Sequence, residues 1–329
     1  MSSAPTPQEI WDSARWLAQA VDRKAGLIRF VEMTPDAYRD ASFLDDRMFQ
    51  QPRFSHELAW DDVTAAMPPN ARRDARWIFH IGRVGSTLIA RLLGELDGVL
   101  SIREPRALRD LNFRPADETA TYVPAVQALF SRTFAPGEGA LVKTTSSVCE
   151  MARELMSENQ PTLFLYTSAR SYISGILAGN SRKELLERAR ARARRAASRG
   201  ARLPPPRSEA DLAAAAWAAE MTALETADGA AVLWADFDRV LDDLEGSLRT
   251  VANFLGFDAS DRQVTEIASG PLTRRYSKDT QVEYGADRRR ELLSAAEKRY
   301  RSDIDAALAM LVKAAETSPL LLQALDRGG

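Results

Sequence analysis

Residues 77–96, WIFHIGRVGSTLIARLLGEL, carry three signals in a row. The run Trp77 to Ile81 has the character of a buried strand. A turn bounded by glycine follows, Gly82-Arg83-Val84-Gly85, and a helix opens at Ser86 and Thr87 with Leu88, Leu92, Leu93 and Leu96 at helical spacing. Glycine lets a backbone wrap closely round an anion, and the first N–H groups of the helix, aided by its dipole, point at that anion. The stretch predicts a phosphate-sized site. A nucleoside-triphosphatase loop requires GxxxxGK[ST], but Ser86 stands where that lysine would be, so an ordinary ATPase or GTPase is disfavoured. Arg83, inside the turn, supplies a planar, permanently charged fork from a different place.

Outward from this stretch, short apolar runs alternate with amphipathic stretches: Val99 to Ile102, Leu141 and Val142, Leu163 to Tyr166, and Val232 to Trp234. Alternation of this kind predicts a parallel sheet covered by helices. Leu244, Leu248, Val251 and Leu255 share a helix face ahead of Gly256, a helix stop. The expected fold is a three-layer α/β/α domain over 76–329 with a central parallel sheet, closed by a helix from about Arg288 to Ala314. Residues 1–75, where Trp11, Leu17 and Val21 fit one helix face among scattered prolines, are expected to form an N-terminal helical cap.

The 329 residues suit two domains or one large α/β domain at about 150 residues per domain. Charge sums to 44 − 46 = −2 with histidine neutral, so any bound anion must be met locally rather than by a global field; nucleic acid and anionic membrane are not expected partners. Cys149 is the only cysteine, which excludes an internal disulfide and suits a reducing compartment. No apolar run reaches signal-peptide or membrane-spanning length, and a cytoplasmic protein is expected. His56 and His80 stand apart, which argues against a histidine-rich metal site; His80 reads as a hydrogen-bonded core residue beside the turn. From Arg182 to Arg207 ten Lys or Arg stand against two Glu, ahead of Pro204 to Pro206; this reads as a basic helical insertion with a solvated face, or as a docking site for an acidic acceptor.

The segment GRVGSTLIARLLGELDGVLSIREPR resembles the start of the sulfotransferase superfamily, whose donor loop runs roughly P-[KR]-S-G-T-T into an apolar helix, a short strand and an acidic residue. The resemblance extends over about residues 76–290. It implies a P-loop NTPase-like sulfotransferase fold and 3′-phosphoadenosine 5′-phosphosulfate as co-substrate, with no metal. Residue by residue it assigns Gly85, Ser86 and Thr87 to the phosphate cradle and Arg83 to the 5′-phosphosulfate, with Gly82 in place of the usual proline. In motif spacing the chain is most similar to the tyrosylprotein-sulfotransferase-like branch, in which a Glu matching Glu104 acts as general base and an Arg matching Arg106 follows. A surface ion pair of Glu104 with Arg103 or Arg106 is the plainer reading of REPR. Lys143, at the end of ALVK, matches a lysine that brings charge to the transferring group.

Where the family has R-D-P-R-x-x-x-x-S for the donor's 3′-phosphate, this chain has Thr167 and Gly175 at the first Arg and the Ser, leaving Arg170 and Ser174 as candidates to take over the contact. Arg170 alternatively ties the loop to an acidic neighbour. A late loop with Arg274, Arg275, Tyr276, Ser277 and Lys278 falls where sulfotransferases fold a basic segment over the nucleotide. The implied activity is sulfuryl transfer to a hydroxyl or amine of a small-molecule or peptide acceptor; whether the chain forms a homodimer is left open. Two alternatives stand beside it: a P-loop kinase or other phosphoryl transferase, which would need Asp236 or Asp238 to bind magnesium, and a non-catalytic nucleotide-binding protein on the same fold.

Overall fold

The structure is a computed structural model that describes residues 4–50, 53–112, 116–157, 159–179, 182–276, 279–283 and 285–328, with backbone alone for 116–120, 182–184, 274–276 and 279–283. The N-terminal segment departs from the helical expectation. It is built on an antiparallel sheet of β1 (Trp16–Asp22), β2 (Leu27–Glu32) and β3 (Ser55–Ala59), in that order, with only short helices such as Pro7–Asp12, Pro35–Asp40 and Trp60–Ala65. Trp16 to Val21 are all buried, so the strand lacks the one-sided alternation that marks a half-solvated strand. The register also slips between Ala18 and Ala20, a bulge that further masks the period.

The main domain holds β4 (Arg76–His80), β5 (Val99–Arg103), β6 (Gly139–Lys143), β7 (Thr162–Tyr166) and β8 (Val232–Asp236), all parallel, in the order β5-β6-β4-β7-β8. All five were expected from the apolar runs. The helices Ser86–Leu93 and Leu244–Phe254 pack against each other, while Glu209–Glu225 packs with the 3₁₀ turn Ser146–Met151 and the helix Ala169–Leu177. This is the three-layer α/β/α arrangement. Gly256 adopts φ +70°, the left-handed conformation that ends the preceding helix. The C-terminal helix is broken in two, Ala286–Arg299 and Arg301–Ala315, and a further helix, Pro319–Arg327, follows.

Strand order fixes where a ligand can sit. The chain leaves β4 toward β5 and leaves its neighbour β7 toward β8, so these two connections part in opposite directions and open a crevice at the carboxyl ends of the strands. The N-terminal sheet packs beside β5 through the helices Arg106–Leu111 and Pro35–Asp40. That contact brings residues 45–47 to the rim of the crevice.

Candidate active site

The crevice is a cleft of about 1010 Å³ lined by Gly82, Arg83, Gly85, Ser86, Thr87, Glu104 and Lys143, so every catalytic candidate meets the glycine-bounded loop in one place. The loop is made by its torsions. Gly82 (φ +78°), Arg83 (φ +55°) and Gly85 (φ +60°) all lie in the left-handed region. At Gly85 glycine is needed twice, since a Cβ there would also fall inside the Phe237 ring. Arg83 carries a side chain in a conformation that costs an L-residue about 1–2 kcal/mol, a strain of the kind that gathers at functional sites. Val84 is fully buried and anchors the turn, while Arg83 is exposed to the cleft. No side chain caps the Ser86–Leu93 helix, whose first residues, Ser86 and Thr87, line the cleft, so its first N–H groups are left for a ligand or water.

His80 sets the base of the loop. The Gly82 N–H donates to Nδ1 at 2.9 Å, which leaves Nε2 as the donor to the Thr144 carbonyl at 2.9 Å. The imidazole therefore ties the end of β4 to the end of β6, a core histidine that also shapes the turn.

Glu104 is the second non-glycine site residue with positive φ, +54°. The kink separates it from its flanking arginines. Arg103 points away and donates to the carbonyls of Tyr38, Arg39 and Ala41, with burial and the like charge of Arg91 pushing its pKa down to about 9. Arg106 pairs with Asp46 at 2.8 Å and Asp110 at 3.2 Å. Neither arginine bonds Glu104, contrary to the plain ion-pair reading. Among the described residues Lys143 donates to Oε1 and Arg47 to Oε2, the latter at 3.0 Å. Lys143 is buried, with Nζ also 3.5 Å from Thr87 Oγ1, so strand end, carboxylate and helix start form one cluster.

The far end of the cleft, beyond β7, is built differently from the sequence expectation. Arg170 does not line it; the guanidinium pairs with Asp305 at 2.9 Å on an exposed surface, the acidic-neighbour role. Ser174 is fully buried, outside the cleft lining, and its Oγ has no hydrogen-bond partner among the described residues. Ser171 and Gly175 do line it, together with Arg289, which the sequence reading missed. Arg289 is buried, pairs with Asp238 at 2.9 Å and lies 5.1 Å from the centre of the Phe237 ring. Thr167 donates to the other Asp238 oxygen at 2.6 Å. Burial pushes the Asp238 carboxyl up, but the Arg289 charge and hydrogen bonds from Thr167, Ser171 and Arg289 outweigh it and hold the group below the usual range. Asp236 accepts from the Asp238 N–H and burial raises its carboxyl. Both aspartates are thus engaged within the fold, and neither lines the cleft. The Arg274, Arg275 and Tyr276 side chains and the whole of Ser277 and Lys278 lie outside the described residues.

The basic segment forms the helix Arg182–Ser198, and it is not a merely solvated face. Leu185, Arg188 and Arg192 line the cleft. Arg192 pairs with the buried Glu220 at 2.9 Å, and Arg195 and Arg199 pair with Glu150. Burial raises the Glu220 carboxyl in spite of the nearby Arg192. Among the described residues there is no His, Cys, Asp and Glu group suited to a metal ion and no helix long and apolar enough to cross a membrane.

No family model matches the chain, and no curated protein matches it. Among solved structures it is similar to a sulfotransferase domain from the curacin biosynthetic pathway, at 13% identity and a TM-score of 0.40, over 72% of this chain and 97% of that one. What fold and cleft define by themselves is an α/β/α protein with an anion-shaped loop at the end of the central strand of its parallel sheet.

Proposed function

We propose that the chain is a P-loop sulfotransferase that moves a sulfuryl group from 3′-phosphoadenosine 5′-phosphosulfate to a hydroxyl or amine of a small-molecule or peptide acceptor. The observation that carries this reading is the convergence of Arg83, Lys143 and Glu104 on a glycine loop whose own lysine position is Ser86. What supports such a donor is the chemistry of the lining: two glycines with positive φ, an uncapped helix start and two cations, with Ser171, Gly175 and Arg289 in the same cleft. Arg289 spends part of its fork on Asp238, and a guanidinium with five N–H donors retains capacity for a phosphate. When bound, the donor supplies a sulfuryl group already activated by its anhydride link to phosphate.

The chain's own residues do the rest. Arg83, Lys143 and the first helical N–H groups meet negative charge on the transferring oxygens. Glu104 takes the acceptor proton as the acceptor oxygen or nitrogen bonds to sulfur and the bond from sulfur to the 5′-phosphate oxygen breaks, which releases adenosine 3′,5′-bisphosphate. A carboxylate has about four lone-pair sites, and Glu104 lines the cleft where an acceptor hydroxyl would arrive. Magnesium-assisted phosphoryl transfer is less well supported, because neither of its candidate ligands, Asp236 and Asp238, lines the cleft and Asp238 is engaged by Arg289 and Thr167.

The test is transfer of radiolabelled sulfate from the donor to a panel of phenols, alcohols and amines, by the wild type and by Glu104→Gln. The variant keeps the shape and loses proton acceptance, so turnover should fall by about 10²–10⁴ with donor affinity retained. Near-normal turnover in the variant would remove Glu104 as the base; the absence of transfer by the wild type to any of these acceptors would count against the activity.

A further inference from the structure

Glu104 is held from two sides by cations of unequal freedom. Lys143 carries a rotatable ammonium on a flexible stem, and Thr87 Oγ1, 3.5 Å away, lies on the side of the glycine loop. An anion arriving at that loop offers the ammonium a second partner. Arg47 is fastened. Asp45 accepts from Nε at 2.8 Å and from Nη2 at 2.7 Å, and the guanidinium lies 3.4 Å from the centre of the Phe43 ring. The backbone beneath is anchored too, since the Leu44 N–H donates to the Arg103 carbonyl at 2.8 Å while the Arg103 guanidinium grips the carbonyls of Tyr38, Arg39 and Ala41. Further out, Arg109 approaches Asp45 at 3.9 Å and Arg106 holds Asp46. Among the described residues, Lys143 and Arg47 are charged groups in contact with Glu104, with Asp45, Asp46, Arg106 and Arg109 behind Arg47.

We propose that Arg47 is a positioning residue that keeps Glu104 facing the acceptor while Lys143 turns from Glu104 to the transferring group. The inference rests on the reading of Glu104 as the base. It gives the N-terminal sheet unit a part in the chemistry: its segment 38–47, clamped to the end of β5, delivers a cation that stays with the carboxylate when Lys143 leaves Oε1. Without Arg47 on Oε2, Glu104 would lose that hold at the moment Lys143 turns away.

The experiment compares Arg47→Ala, Arg47→Lys, Glu104→Gln and the Arg47→Ala/Glu104→Gln double variant. Arg47→Ala should lower kcat by about tenfold to a hundredfold, the scale of a misplaced catalytic group, with donor KM changed by less than about twofold. The acid limb of its pH profile should move to higher pH, because a cation beside the carboxylate is gone. Arg47→Lys should restore the limb while kcat stays reduced, since it returns the charge without the fork. In the Glu104→Gln background Arg47→Ala should cost nothing more. An unchanged kcat and acid limb in Arg47→Ala, or an equal loss in both backgrounds, would overturn the inference. Near-normal turnover of Glu104→Gln sinks the base reading instead. Independently of any turnover, the Glu104 carboxyl can be titrated by ¹³C NMR in protein saturated with adenosine 3′,5′-bisphosphate; an identical titration in wild type and Arg47→Ala would refute the role of Arg47.

Discussion

Gly85→Ala is the substitution whose effect the geometry constrains most tightly. The residue has φ +60°, where a Cβ costs about 1–2 kcal/mol, and the added methyl would overlap the Phe237 ring, an overpacking that typically costs about 1–3 kcal/mol. Together these give a loss of about 2–5 kcal/mol. Phe237 leads the helix Phe237–Asp242 after β8 and its ring cannot retreat freely, being buried beneath Arg289. Urea unfolding of the variant should show the loss, and calorimetry should show anion binding abolished, because the loop must distort to admit the methyl. The two contributions separate in a second background. With Phe237→Ala already present the steric part disappears, and Gly85→Ala should then cost only the conformational part, about 1–2 kcal/mol. A Gly85→Ala protein as stable as wild type, or an identical cost in both backgrounds, would refute the packing described for the loop.

Two further outcomes follow from the far end of the cleft. Arg289→Gln, made together with Asp238→Asn so that no charge is left unpaired, should erase any preference for adenosine 3′,5′-bisphosphate over AMP, while Arg170→Ala should leave it intact; calorimetry reads both, and the reverse pattern would return the role to Arg170. Asp238→Asn alone should be less stable than wild type at neutral pH, with the gap closing in acid. The folded-state pKa of Asp238 lies below the ordinary aspartate value of 3.8, so its contribution is present above that value and lost as pH falls through the lowered one. Denaturation midpoints from pH 7 to pH 2 check the sign.

The main domain was legible because each of its strands is a short apolar run and the glycine loop carries strand, turn and helix signals in succession. Glu104 and Lys143 were legible as polar residues at the ends of such runs, where a parallel sheet presents ligands. The N-terminal strands were not, since β1 is buried along nearly its whole length and its apolar residues also satisfy a helical spacing. Arg289 sits in the run ADRRRELL, which reads as a solvated charge cluster. A signal was nevertheless present: Arg289, Leu292, Leu293 and Ala296 recur at helical spacing, and the first three line the cleft while Ala296 is buried. Arg47 carried no local signal. Its role depends on Arg103 and Leu44 bringing residues 38–47 against β5, a contact between segments far apart in sequence.

The central claim is that the cleft reads a nucleotide with anions at both ends, a sulfotransferase donor rather than a triphosphate. Calorimetric titration of the wild type with adenosine 3′,5′-bisphosphate, AMP and ATP with magnesium tests it most directly. The bisphosphate should bind more tightly than AMP by about 1.5–3 kcal/mol, the worth of a charge-assisted contact to the 3′-phosphate, and more tightly than ATP with magnesium. Equal affinity for the bisphosphate and AMP, or tightest binding of ATP with magnesium, would contradict it.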